Sequence, residues 1–167
     1  EQELIKNIGK GLDISVIKNI VSKQSIALSD KFLDDKVLKF VSVGRVSKVK
    51  NLTFLVDVLN KVKSEKQILV DVVGSQEDEQ YLKKCIRNID ANKNYKLNFL
   101  GELPTDKISE QLLKYDFFIS PSLNENFGHA IVEAMQNNLP LLISDQTPWR
   151  KLKDSNAGFD LKLDLPL

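Results

Sequence analysis

The sequence predicts an α/β fold: a Rossmann-like, doubly wound parallel sheet of about six strands with helices on both faces. Three observations carry this prediction. Apolar runs of strand length alternate with segments of helical spacing about five times. The runs are continuously apolar, which suits strands buried on both faces rather than on one. Three successive runs stop at glycine: Gly44, Gly74 and Gly101.

The first run, with Val37, Leu38, Phe40, Val41 and Val43, ends at Gly44. Residues 51–63 carry Leu52, Leu55, Val56, Leu59 and Val62 at helical spacing. A second strand over 67–73 stops at Gly74, and a second helix over 77–89 places Tyr81, Leu82, Cys85, Ile86 and Ile89 on one stripe. The third strand, 96–100, stops at Gly101. Pro104 and Thr105 then open a third helix with Ile108, Leu112 and Leu113. A fourth strand (116–120), a fourth helix (128–137) and a fifth strand (139–144) follow. Residues 148–152 are read as the start of a fifth helix, and 158–161 as a last short strand.

Ahead of Lys36 the pattern is weakest. Asp13 is placed to cap a short helix over 14–21, and 25–35 reads as a polar connection. The chain opens on Glu1 rather than Met, so residues 1–35 are assigned to a linker or edge segment of a longer protein. Residues 36–167 are assigned to one domain.

Composition narrows the chemistry. With 42% hydrophobic and 28% charged residues, the chain is not wholly disordered. Lys plus Arg is 24 and Asp plus Glu 23, so the formal net charge is 24 − 23 = +1. That balance gives no overall attraction to nucleic acid, and none is expected as a partner. One cysteine, Cys85, excludes an internal disulfide, and one histidine, His129, excludes two-histidine metal motifs. No metal site is expected. No apolar run approaches the roughly 20 residues needed to span a bilayer.

Two loops carry candidate chemistry. The first is Gly44-Arg45-Val46-Ser47-Lys48-Val49-Lys50-Asn51, between a strand and a helix. Ligands of such sheets bind beyond the carboxyl ends of the strands. There Arg45 can grip a diphosphate with two hydrogen bonds, Lys50 can act as a point charge, and Asn51 can cap the helix. A solvated basic loop and plain glycine turns explain the same residues. The second loop runs from Pro121-Ser122 through Asn124, Glu125, Asn126, Phe127, Gly128 and His129 into the fourth helix. The N–H groups of Phe127, Gly128 and His129 would sit at a helix start, free to donate to an anion. On a helical wheel Glu133 shares the polar side with His129. It is either a solvated face residue or a carboxylate for sugar hydroxyls.

Strand–Gly-Arg–x4–Lys, then strand–Pro-Ser–x2–Glu–x–Phe-Gly–x4–Glu-Ala, resembles the C-terminal half of a GT-B glycosyltransferase of the GT4 type. Glu125 and Glu133 match that family's E-x7-E motif, and 138–144 is similar to its G-x-P-V-I-x-S strand. The resemblance covers about residues 36 to 160. It implies a retaining transferase that needs no metal or cofactor and uses a UDP-, GDP- or ADP-linked sugar. Arg45 and Lys50 would hold the donor diphosphate, and Glu125 would contact the transferred sugar. Phe127, Gly128 and His129 would bind phosphate and sugar through their backbone, and Glu133 the ribose. Gly44, Gly74 and Ser75 would line the cleft, and Gly101, Glu102 and Leu103 would border the base. The implied partners are an N-terminal acceptor-binding domain and a lipid-linked or glycan acceptor, with a role in polysaccharide biosynthesis. The implied setting is the cytoplasm or the inner membrane face, and the isolated domain is expected to be inactive.

Three departures stand out: Asn51, Asn126 and Asn138 occupy positions where the family commonly has glycine. Asn tolerates left-handed backbone, so the loops can survive. Two other readings are a hydrolase pairing Glu125 with Glu133 and a non-catalytic nucleotide- or ligand-sensing module.

Overall fold

The computed structural model describes residues 34–164. The helix expected over 14–21, and all of 1–35 except residues 34 and 35, lie outside them.

In chain order the elements are β1 (Val37–Val43), a 3-10 turn (Lys48–Lys50), α1 (Leu52–Lys61), β2 (Gln67–Val73) and α2 (Glu79–Arg87). Then come β3 (Tyr95–Gly101), α3 (Thr105–Leu112), β4 (Phe117–Ser120), α4 (His129–Gln136), β5 (Leu141–Ser144) and β6 (Gly158–Leu161). The six strands form one sheet in the order β3-β2-β1-β4-β5-β6, and every pairing is parallel. The predicted doubly wound sheet is therefore present.

The strands are apolar throughout because both faces are covered. Neighbouring residues of β2 show it: Val72 packs in one core and Val73 in the other. One layer joins α1 and α2 to the sheet through Leu52, Leu55, Tyr81 and Cys85. The other joins α3 and α4 through Ile108, Leu112, Ile131 and Ala134. Cys85 is fully buried, as its helical stripe predicts, and burial raises its thiol pKa. Tyr81 also holds a helix end, because the Thr53 N–H donates to its hydroxyl at 3.1 Å. Asp78 caps α2 by accepting from the Tyr81 N–H at 3.0 Å. Over β4, β5 and β6 on the α1 side lies an apolar recess of about 250 Å³, lined by Phe54, Val58, Ile119, Leu142 and Leu161 among others. Among the described residues no helix is long and apolar enough to cross a membrane.

The expected fifth helix is absent; 145–157 forms turns. The donors that a helix would use are spent elsewhere. The Trp149 N–H donates to Thr147 Oγ1 and the Leu152 N–H to Asp160 Oδ1. Lys151 and Asn156 take left-handed backbone, with φ of 57° and 54°, which no α-helix continues through. Three other helices are shorter than their apolar stripes: Val62, Ile89 and Leu113 lie past the ends of α1, α2 and α3. Side chains can extend a stripe beyond the last helical bond, and α1 ends where Val62 turns extended (φ −63°, ψ 133°). Asn51 does not cap α1 with its side chain. It is itself left-handed, at φ 53°, and its N–H closes the 3-10 turn on the Lys48 carbonyl. Asn138 is left-handed as well, at φ 56°, where α4 leads into β5.

Candidate functional site

Two strand ends meet where the winding direction of the sheet reverses. β1 leads outward to β2 and β3 on one side and pairs with β4 on the other. The loops after β1 and β4 therefore diverge around a crevice at the carboxyl edge, the place where ligands of this architecture bind.

On the β1 side the strand ends are stacked closely. The Gly44 N–H donates to the Val73 carbonyl at 2.9 Å and the Gly74 N–H to the Gly101 carbonyl at 2.8 Å. Gly74 has φ +150°, and a Cβ there would lie 2.1 Å from the Gly44 oxygen, so only glycine fits. A Cβ on Gly44 would lie 2.7 Å from Lys50 Cε. Bare backbone at position 44 thus lets the Lys50 stem lie across the strand end.

That stem delivers the ammonium to Glu125. Lys50 Nζ and Glu125 Oε1 form an ion pair whose side chains are 24% and 14% exposed. The same oxygen accepts from Ser122 Oγ at 2.9 Å. The Leu123 N–H donates to the Val49 carbonyl at 2.8 Å and stitches the two loops together below the pair. Arg45 is exposed and forms no ion pair among the described residues.

On the β4 side, left-handed geometry falls at Gly128 (φ 78°), the residue before α4, whereas Asn126 has no positive φ and its tolerance of that geometry is not drawn on. Gly128 accepts from the Ile131 and Val132 N–H groups, so α4 begins with the earlier N–H groups open. Trp149 holds this loop. Its indole N–H donates to the Phe127 carbonyl at 2.6 Å, and its ring meets that of Phe127 edge-on at 5.8 Å. His129 also packs against Phe127, at 4.8 Å between ring centres.

The open cleft between the two loops has a volume of about 770 Å³. Gly44, Arg45, Lys50, Glu125, Phe127, Gly128 and His129 all line it, together with Val49 and Asn124. Ser75 lines a smaller recess of about 110 Å³ that Arg45 and Ser47 also line. Gly74 and Gly101 back the strand ends, Leu103 packs against the α3–α4 core, and Glu102 is exposed. Glu133 lies one turn into α4 and outside the residues lining the cleft. It is half-buried rather than fully solvated, and burial raises its carboxyl pKa while the His129 charge opposes the rise.

Sequence reasoning placed Ser122 in the loop motif but missed that it is buried together with Ser120 and Ser144. Ser120, Ser122 and Ser144 are 5%, 0% and 2% exposed. A signal existed: β4 and β5 both finish apolar runs with serine, Phe-Phe-Ile-Ser and Leu-Leu-Ile-Ser. Among the described residues no three His, Cys, Asp or Glu side chains gather as a metal site requires.

Comparison with known proteins agrees with this architecture. The family described as glycosyl transferases group 1 matches residues 25–157. The O-antigen chain mannosyltransferase RfbU of Salmonella typhimurium is 29% identical over 145 residues, covering 86% of this chain and 39% of that protein. The lipopolysaccharide outer core galactosyltransferase WaaB superposes with a TM-score of 0.62 at 22% identity, over 90% of this chain and 42% of that one. The pneumococcal O-GlcNAc transferase GtfA, solved with UDP and GlcNAc, superposes with a TM-score of 0.52 at 25% identity, over 67% of this chain and 21% of that one. The chain spans between 18% and 40% of the length of the curated relatives it matches. With a family match over most of its length, and a parallel sheet whose switch-point cleft gathers the expected loops, the chain belongs to the glycosyl transferases group 1 family and has the Rossmann-like sheet of a GT-B glycosyltransferase domain.

Proposed function

We propose that this chain binds a nucleotide-diphosphate-sugar and, with an acceptor-binding domain elsewhere in a longer protein, transfers the sugar with retention at the anomeric carbon, as in transferases of the GT4 type. The observation that carries the reading is the shared cleft: Arg45, Lys50 and the open N-terminal turn of α4 line it together. Arg45 brings an exposed cation with no ion pair among the described residues, Lys50 a cation shared with Glu125, and the helix start open N–H groups, and these suit a diphosphate.

As the glycosidic bond breaks, charge grows on the leaving phosphate, and preplaced donors at that oxygen lower the barrier. Arg45 and Lys50 provide this positive charge in place of a divalent ion. Glu125, already anchored, receives hydroxyls of the transferred sugar. Glu133, half-buried one turn into α4 and just beyond the cleft lining, is assigned the ribose hydroxyls on the E-x7-E resemblance alone. UDP is the first nucleotide to test, because UDP occupies the related GtfA structure. The acceptor is a glycan or a lipid-linked sugar, and the setting is cytoplasmic, peripheral to the inner membrane face.

A hydrolase pairing Glu125 with Glu133 is disfavoured. Glu125 is occupied by Lys50 and Ser122, and Glu133 does not line the cleft with it. Family membership favours a transferase over a sensing module. The test is titration of the chain with UDP, GDP and ADP by ligand-observed NMR, repeated on Lys50→Ala and Glu133→Ala. Saturable binding of one nucleotide, weakened in both variants, supports the assignment. Absence of binding to all three rejects it.

A further inference from the structure

Beside the cleft three serines are buried together: Ser120 and Ser144 end the adjacent strands β4 and β5, and Ser122 follows β4 by two residues. Ser120 and Ser122 place their Oγ atoms 3.0 Å apart, and Ser122 Oγ donates to Glu125 Oε1 at 2.9 Å. A hydroxyl has one proton to give. Ser122 spends its proton on Glu125, so Ser120 must be the donor to Ser122. The hydroxyl chain therefore runs Ser120 to Ser122 to Glu125, and Lys50 meets the same carboxylate oxygen. Ser144 secures the middle of the chain, since its hydroxyl donates to the Ser122 carbonyl.

This arrangement is asymmetric at the carboxylate. Oε1 takes both Lys50 and Ser122, whereas Oε2 accepts no hydrogen bond from another described residue. Aligned hydroxyls polarise one another, so the bond to Glu125 is stronger than an isolated one. A part-buried carboxylate held at one oxygen cannot rotate freely, and its second oxygen stays available beside the cleft.

We infer that Ser122, supported by Ser120 and Ser144, is a positioning residue: it clamps Glu125 through Oε1, and thereby both presents Oε2 to the donor sugar and holds Lys50 beside the diphosphate. The sugar-presenting half of this inference rests on the nucleotide-sugar reading above; the clamp itself does not.

The test has two arms. In the ligand-free chain, the Lys50 ammonium should give a slowly exchanging ¹H–¹⁵N signal at low temperature, identified by its loss in Lys50→Arg. Ser122→Ala should broaden or remove that signal while the backbone spectrum stays folded, and Ser122→Cys, a weak donor of similar volume, should fall between. Should Ser122→Ala fail to fold, Ser120→Ala removes only the supporting hydroxyl and should weaken the signal in the same direction. A folded variant whose Lys50 signal is unchanged overturns the clamp. The second arm compares UDP with UDP-glucose. Ser122→Ala should weaken UDP-glucose roughly tenfold more than UDP. Equal weakening of both overturns the presenting role. A wild-type chain that binds neither ligand rejects the nucleotide reading and with it the presenting role, while the ammonium signal still decides the clamp.

Discussion

Arg45 and Lys50 carry like charges into one cleft, but their surroundings make them unequal. Arg45 is exposed with no ion pair among the described residues, so Arg45→Ala should leave the melting temperature unchanged and weaken nucleotide binding. Lys50 neutralises a carboxylate that is only 14% exposed. Lys50→Ala should therefore lower both binding and the melting temperature, and thermal melts beside titrations separate the two. Glu133 gives a pH prediction. Burial raises its folded pKa above the usual carboxylate value, so the folded state favours the protonated form. The ionised group costs stability at neutral pH, and the cost fades as pH falls through the raised folded pKa, to vanish below the ordinary glutamate value of the unfolded chain. Glu133→Gln should melt higher than the parent at pH 7, with the gap closing toward pH 4 in a series of melts. The cleft-lining charges were legible because motif spacing and strand ends announce them. The depth of Glu133 was not, because a wheel reports which residues share a side of a helix and not what faces that side. Ser120 and Ser144 were illegible singly, since a serine after an apolar run reads as an ordinary turn.

The strands and four helices were legible from periodicity alone, because two-sided burial demands continuous apolar runs and amphipathic crossovers. Turn geometry was not. At 148–152 a proline and apolar spacing imitate a helix start, but Thr147 and Asp160 capture its backbone donors. Strand-end glycines were visible as letters, whereas their packing appears only in three dimensions. Gly74→Ala would push a Cβ to 2.1 Å from the Gly44 carbonyl oxygen at φ +150°. Backbone cannot yield cheaply, so about 3 kcal/mol or more should be lost in denaturant unfolding. Asn138 offers a contrast at φ 56°. Asn138→Ala meets only the intrinsic left-handed penalty, roughly 1 kcal/mol.

Because the cleft draws on both layers of the sheet, a ligand seated there should stabilise the entire domain. Nucleotide at about 100 times its dissociation constant adds about 2.7 kcal/mol, which for a domain of this size is a rise in melting temperature of roughly 5–10 °C. Differential scanning fluorimetry with UDP checks this, and Lys50→Ala should flatten the response. The order of the sheet has a further consequence, in time rather than in space. β1 and β4 are neighbours, and the Lys39 N–H donates to Asp116 Oδ2 across a sequence separation of 77 residues. A chain emerging from the ribosome therefore presents its arginine and lysine long before the opposing loop has been synthesised. Until His129 is out of the exit tunnel and the central strands have zipped, the newborn polypeptide owns one wall and no crevice.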